Sequence, residues 1–240
     1  MLAKPLAVLL GGCWRAPEGK SVMIGLATQQ SGQPLDVAAR SIHEDWQAAW
    51  CPDLTAPANR AALASNPRLE RRIGEDLAAR LGLPPLASTI RPDMACLIAY
   101  HVAIEAPARF RRVLGLAIMA PLLAVEIEPE AVQRLREQFD EADLCLAFAV
   151  RPKTDRVAAI ASDFSQMATI ADAEGAAIIQ EWLGTLPPAY AGRVRLTMPK
   201  TESEPEAGRL MDPGRLKLLR DVAKRLLAEL PTGGADARRA

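Results

Sequence analysis

Aromatic and imidazole side chains are scarce in this chain: four Trp, two Tyr, four Phe and two His among 240 residues. Half of the residues are apolar, mostly Ala and Leu. That balance argues against general disorder and against β-sandwich construction, and for close helix–helix packing. Two histidines are too few for the usual zinc spacings, and the four cysteines, Cys13, Cys51, Cys96 and Cys145, form no CxxC pair. They read as buried thiols of a reducing compartment. Net charge is missing too: Lys plus Arg and Asp plus Glu stand at 29 each, which removes a global attraction to nucleic acid. Long apolar runs are absent. Leu114–Val125 comes closest, but Pro121 interrupts it and Arg111-Arg112 precede it. It falls short of the ~18 unbroken apolar residues of a span, so no direct membrane insertion is expected.

The first residues need a separate reading. Met1 to Cys13 (MLAKPLAVLLGGC) has one lysine, an apolar run and a Leu-Gly-Gly-Cys ending that resembles a lipoprotein cleavage box. The run Leu6–Leu10 is shorter than an ordinary signal core, and Pro5 interrupts it upstream. A frayed tail, or a true start at Met23, explains the same residues. An exported helical lipoprotein acylated at Cys13 therefore stands as the alternative to a cytoplasmic protein.

What the chain does have is punctuated helix. Residues 1–33 show no sustained periodicity and read as a flexible or loosely docked arm. From Asp36, Val37, Ile42, Trp46 and Trp50 form a helical stripe that Cys51-Pro52-Asp53 stops. Asn66-Pro67 is an N-cap and first-turn pair, followed by the stripe Leu69, Ile73, Leu77 and Leu81, with Gly82 at the C′ position. Asp93–Ile104 is apolar on nearly every side and reads as a central helix. Further helices are expected from Pro107 toward Pro121, from Pro129 with Val132, Leu135 and Phe139 inside, and over 164–183, where Gly175 is a weak point. Asp212-Pro213 caps a last helix with the stripe Leu216, Leu219, Val222, Leu226 and Leu230. Periodicity alone does not separate helix from strand for Leu144–Val150; its ending at Arg151-Pro152 favours the last turns of a helix.

Against this background Arg193-Val194-Arg195-Leu196-Thr197-Met198-Pro199 stands out as period-2 spacing, with Arg193, Arg195 and Thr197 on a wet face. It predicts a minor β element near residues 193–198. Lys200–Gly208, acidic with Pro205 inside, reads as a loop. The expected fold is thus mainly α: one compact helical domain over 34–231, a minor strand, and a disordered tail at 232–240.

Chemistry is hard to place. GxGxxG and GxxxxGK[ST] are both absent. The only imidazoles, His43 and His101, lie in apolar-striped helices with no nucleophile suggested beside them. Glu44-Asp45, Glu126/Glu128/Glu130 and Asp140-Glu141-Asp143 read as solvated faces or helix-start charges, not as a metal site. Arg109, Arg111 and Arg112, and the basic residues Arg215, Lys217, Arg220, Lys224 and Arg225, come without an aromatic platform for bases. No enzyme activity, cofactor, metal, small-molecule substrate or nucleic-acid partner is expected.

Three stretches carry a family resemblance. They are Ile42-His43-Glu44-Asp45-Trp46 through Trp50-Cys51-Pro52; Arg111-Arg112-Val113-Leu114-Gly115-Leu116 onward to Leu123; and Glu174-Gly175, Trp182-Leu183 and Arg193–Pro199 in that order. Together, over roughly residues 36–230, they resemble the K-type accessory protein of bacterial type III secretion systems, the sorting-platform adaptor. The longer amino-terminal arm and the acidic insertion Glu202–Glu206 depart from that family. The resemblance implies a non-enzymatic helical adaptor of protein secretion and virulence, at the cytosolic face of the inner-membrane apparatus. Its implied partners are the Q-type pod protein and the cytosolic domain of the inner-membrane ring protein. Interfaces favour Arg and aromatic anchors, so Trp46, Trp50, Arg111 and Arg112 are the candidate protein-interface residues, with burial the alternative for the tryptophans.

Overall fold

The structure is a computed structural model describing residues 41–50, 52–56, 58–59, 62, 65–124, 129–151, 166–200 and 211–230. The expected arm, the lipoprotein-like segment with Cys13, the acidic 201–208 stretch and the tail lie outside the described residues. Among those described there are nine α-helices and no strand: α1 Glu44–Trp50, α2 Pro67–Arg80, α3 Met94–Glu105, α4 Pro107–Leu123, α5 Pro129–Gln138, α6 Glu141–Val150, α7 Met167–Leu183, α8 Pro188–Leu196 and α9 Pro213–Glu229. Short 3-10 turns occupy Pro52–Thr55 and Leu86–Ser88.

Proline and short polar side chains set the boundaries. Asn66 Oδ1 accepts the Leu69 N–H at 3.2 Å, and Asp93 Oδ1 accepts the Cys96 N–H at 2.7 Å. Asp140 Oδ1 takes the Ala142 N–H at 2.7 Å, and Asp212 Oδ1 takes the Arg215 N–H at 3.0 Å. Each satisfies a donor that a helix start leaves open. At the far end of α2, Gly82 adopts φ 66°. Its N–H donates to Ala79 O at 2.9 Å and the Leu83 N–H donates to Ala78 O at 3.0 Å. This paired closure with a left-handed residue is the one for which glycine is suited.

The chain divides into two compact units. The first takes the described residues within Ala108–Ile179 and Asp212–Arg225. Its centre is α4, where Phe110, Val113, Leu114, Leu116, Ala117 and Ala120 are all fully buried. Leu135 and Phe139, Leu144, Ile178, and Leu219 and Val222 are also buried in this unit. α4 continues through Pro121 to Leu123.

The second unit takes the described residues within Gly25–Pro107, Gln180–Met211 and Leu226–Ala240. Here α3 is the buried helix, with every residue from Ile98 to Ile104 except His101 in the core. Tyr100 meets Tyr190 of α8 edge-on, with ring centroids 5.1 Å apart. Thr197 just beyond α8 donates through Oγ1 to Ala103 O at 3.2 Å. The α2 stripe is covered only in part: Leu77 is buried, whereas Leu69 keeps 44% of its surface.

The expected β element at 193–198 is not there. Residues 193–196 are the last turn of α8, and Thr197 follows it as the cap. The alternation of polar and apolar residues is real, but it does not separate a wet face from a dry one. Arg193 is 3% exposed and Thr197 6% exposed. Their polar atoms are satisfied in the interior by backbone carbonyls: Arg193 Nη1 donates to Ala189 O and Pro84 O, each at 3.0 Å, and Thr197 Oγ1 also donates to Val194 O at 2.8 Å. The helix starts at Pro188, whose fixed φ suits a first helical position, five residues before the alternating stretch begins. Leu144–Val150 is helical, within α6.

Candidate functional site

The four candidate interface residues fall into two clusters, one in each unit. Arg111 and Arg112 lie on α4 in the first unit. Arg112 forms a two-pronged pair with Asp172 of α7, Nε to Oδ1 at 3.3 Å and Nη2 to Oδ2 at 3.2 Å. Arg111 approaches the same carboxylate at 3.8 Å. One turn earlier on the helix, Arg109 Nε donates to Asp143 Oδ1 at 2.6 Å, and Asp143 is buried. These arginines therefore tie α4 to α7 and α6, and α4 and α7 also touch through their backbones. A Cβ built on Gly115 would overlap the Ala171 carbonyl, and one built on Gly175 would overlap the Arg111 carbonyl. Two glycines thus permit the close crossing, and the arginines clamp it. Only the glycines could have been suspected from sequence, since a helix former would otherwise be expected mid-helix.

Trp46 and Trp50 lie on α1 in the second unit, and both are half-buried. The α1 segment grips the chain leaving α8. The His43 N–H donates to Leu196 O at 2.7 Å, Trp46 Nε1 donates to Met198 O at 3.0 Å, and Asp45 Oδ2 accepts the Lys200 N–H at 3.1 Å. Lys200 Nζ stands 5.6 Å from the Trp46 ring centre, within cation–π range. Gln47 is buried, and its side-chain amide donates to Ile42 O at 2.7 Å, which fixes the entry to α1. Trp50 contributes its carbonyl to Arg80 Nη1 at 3.4 Å. Trp46 is therefore a clasp residue, with its polar edge committed to Met198. Nothing in the sequence pointed to Met198 or Lys200 as its partners, because the pairing spans more than 150 residues.

Two titratable groups in this unit are displaced from their ordinary ranges. Burial lowers the His101 imidazole, against an opposing pull from the Glu105 carboxylate. Burial raises the Tyr190 phenol, against the charges of Arg91 and Arg193. His43 Nδ1 lies 3.3 Å from Asp45 Oδ2, and its nitrogen also accepts the Asp45 N–H at 3.3 Å. It serves as a local turn contact at the start of α1. Among the described residues no helix is long and apolar enough to cross a membrane.

No family model, no curated protein and no solved structure matches the chain.

Proposed function

We propose that this protein is a non-enzymatic adaptor of a bacterial type III secretion system. It acts at the cytosolic face of the inner-membrane apparatus and joins the inner-membrane ring to the pod protein of the sorting platform. The reading is supported by the sequence resemblance, and one structural observation adds to it. The positions that carry the resemblance have physical reasons to be the residues they are. Gly175 allows α7 to lie against the Arg111 backbone, Trp182 is wholly buried, and Arg193 to Thr197 close α8 with polar side chains on carbonyls. The resembling residues thus belong to the scaffold.

Co-purification tests this reading. The tagged chain, co-expressed with the pod protein from the same locus, is expected to elute with it as one complex. It is also expected to retain the isolated cytosolic domain of the ring protein. Elution of the chain apart from both would overturn the proposal.

A further inference from the structure

Three large apolar side chains stand out as exposed among the described residues: Leu69, Ile90 and Met94. Two of them flank a single arginine in the short connection into α3. Ile90 keeps 85% of its surface and Met94 54%, with Arg91 exposed between them. The connection is pinned on both sides. Ser88 Oγ and Thr89 Oγ1 both donate to Pro85 O, at 2.9 and 3.0 Å, and the Thr89 N–H donates to Leu86 O at 3.2 Å. At the other end Pro92 restricts the backbone, and Asp93 is held as the α3 cap. An isoleucine left in water forgoes the free-energy gain of burial. Here hydrogen bonds hold the chain on either side of it.

The charge beside it is also unmatched. No carboxylate among the described residues forms an ion pair with Arg91. Asp93, two residues away, already accepts the Cys96 N–H through Oδ1. Covering Ile90 and Met94 with a neutral or basic surface would strip water from the Arg91 guanidinium without giving it a counter-charge, which is costly. An occupant of this surface therefore has to bring both apolar area and a carboxylate. An extended polyanion, such as duplex nucleic acid or an anionic bilayer, gains from a row of cations; this connection offers one, with an acidic neighbour.

We propose that Ile90, Arg91 and Met94 form a docking surface for a protein partner that presents an acidic amphipathic segment, with its apolar side chains on Ile90 and Met94 and a carboxylate on Arg91. The pinned connection holds the three ready, which lowers the ordering cost of binding. Arginine is also among the residues that dominate interface energetics, and methionine is enriched at interfaces. The surface stands on its own geometry and is independent of the secretion reading.

The full-length chain is titrated, by fluorescence anisotropy, into a labelled amphipathic helical peptide of Leu and Glu. A Leu and Lys peptide, duplex DNA and phosphatidylserine vesicles serve as comparators. Saturable binding of the Leu and Glu peptide is expected. Ile90→Ser with Met94→Ser should weaken it by about tenfold or more. Arg91→Glu should weaken it too, and should create binding to the Leu and Lys peptide. Ile90→Gln alone supplies the same readout if the double variant melts early. The proposal is overturned if the acidic peptide does not bind, or if its affinity is unchanged in these variants. It is equally overturned if DNA or vesicles bind and lose binding with the same substitutions.

Discussion

Gly115 of α4 and Ala171 of α7 meet at the backbone, so closely that a methyl group on the glycine would occupy the position of the Ala171 carbonyl. Gly175 repeats the relationship one turn along α7, against the Arg111 carbonyl and with the Gly115 nitrogen 3.2 Å from where its Cβ would stand. The first consequence runs against helix propensity. Alanine is worth about 1 kcal/mol more than glycine in a helix interior. Yet Gly115→Ala and Gly175→Ala should each destabilise the protein by about 2 kcal/mol or more, because backbone yields less readily than a side chain to overpacking. Urea denaturation of the two variants checks this; a midpoint at or above wild type for either would contradict the crossing.

The clasp of α1 on the α8 exit gives a second outcome. Trp46→Phe keeps an aromatic ring but removes the donor to Met198 O together with the fused second ring of the indole. A loss of at least about 1 kcal/mol is expected, the ordinary net value of one such bond, with the lost packing added to it. Hydrogen exchange should also quicken at His43 and Lys200, whose N–H groups are held in the same clasp. Unchanged exchange at both amides would show that Trp46 does not hold the segment.

The ends of α2 can be tested separately. Asn66→Ala removes the acceptor for the Leu69 N–H and should cost about 1 kcal/mol. Gly82→Ala meets open space, but its φ of 66° strains any L side chain, and a loss of about 1 kcal/mol is expected there as well. The double variant should show the sum of the two in a thermal melt, since the sites are at opposite ends of the helix and share no partner.

His101 makes stability depend on pH in a defined sense. Burial depresses the folded-state pKa below the unfolded value, so the folded protein binds the proton less readily. Stability is full above the unfolded value of about 6.5, and falls as pH drops from there through the folded value. His101→Gln should flatten that part of the profile when denaturation midpoints are compared between neutral and mildly acidic pH. An unchanged slope would place the pH dependence on another group.

Much of the helix plan was legible because it is written in local chemistry. Asn66-Pro67, Gly82, Asp93 and Asp212-Pro213 act through their immediate neighbours, and the structure uses each as its residue type suggests. Arg193–Pro199 was misread for the opposite reason. Its period-2 pattern looks like a strand over seven residues, but the fate of Arg193 and Thr197 is decided by Pro84 and Ala103, far away in sequence. Leu69 shows the same limit, since a helical stripe states what is apolar and not how far neighbours extend to cover it. For the candidate interface residues, the partners within the chain were equally out of reach of the sequence. Trp46, Arg111 and Arg112 met the composition rule for interfaces, but Met198 and Asp172 engage them within the chain. Ile90 and Met94, which that rule did not single out, are the ones left exposed.

The measurement that bears most directly on the proposed adaptor role is secretion from a strain lacking this gene. The account predicts that effector proteins are no longer exported while the membrane rings still assemble, and that the intact gene supplied in trans restores export. Wild-type export from the deletion strain would contradict it.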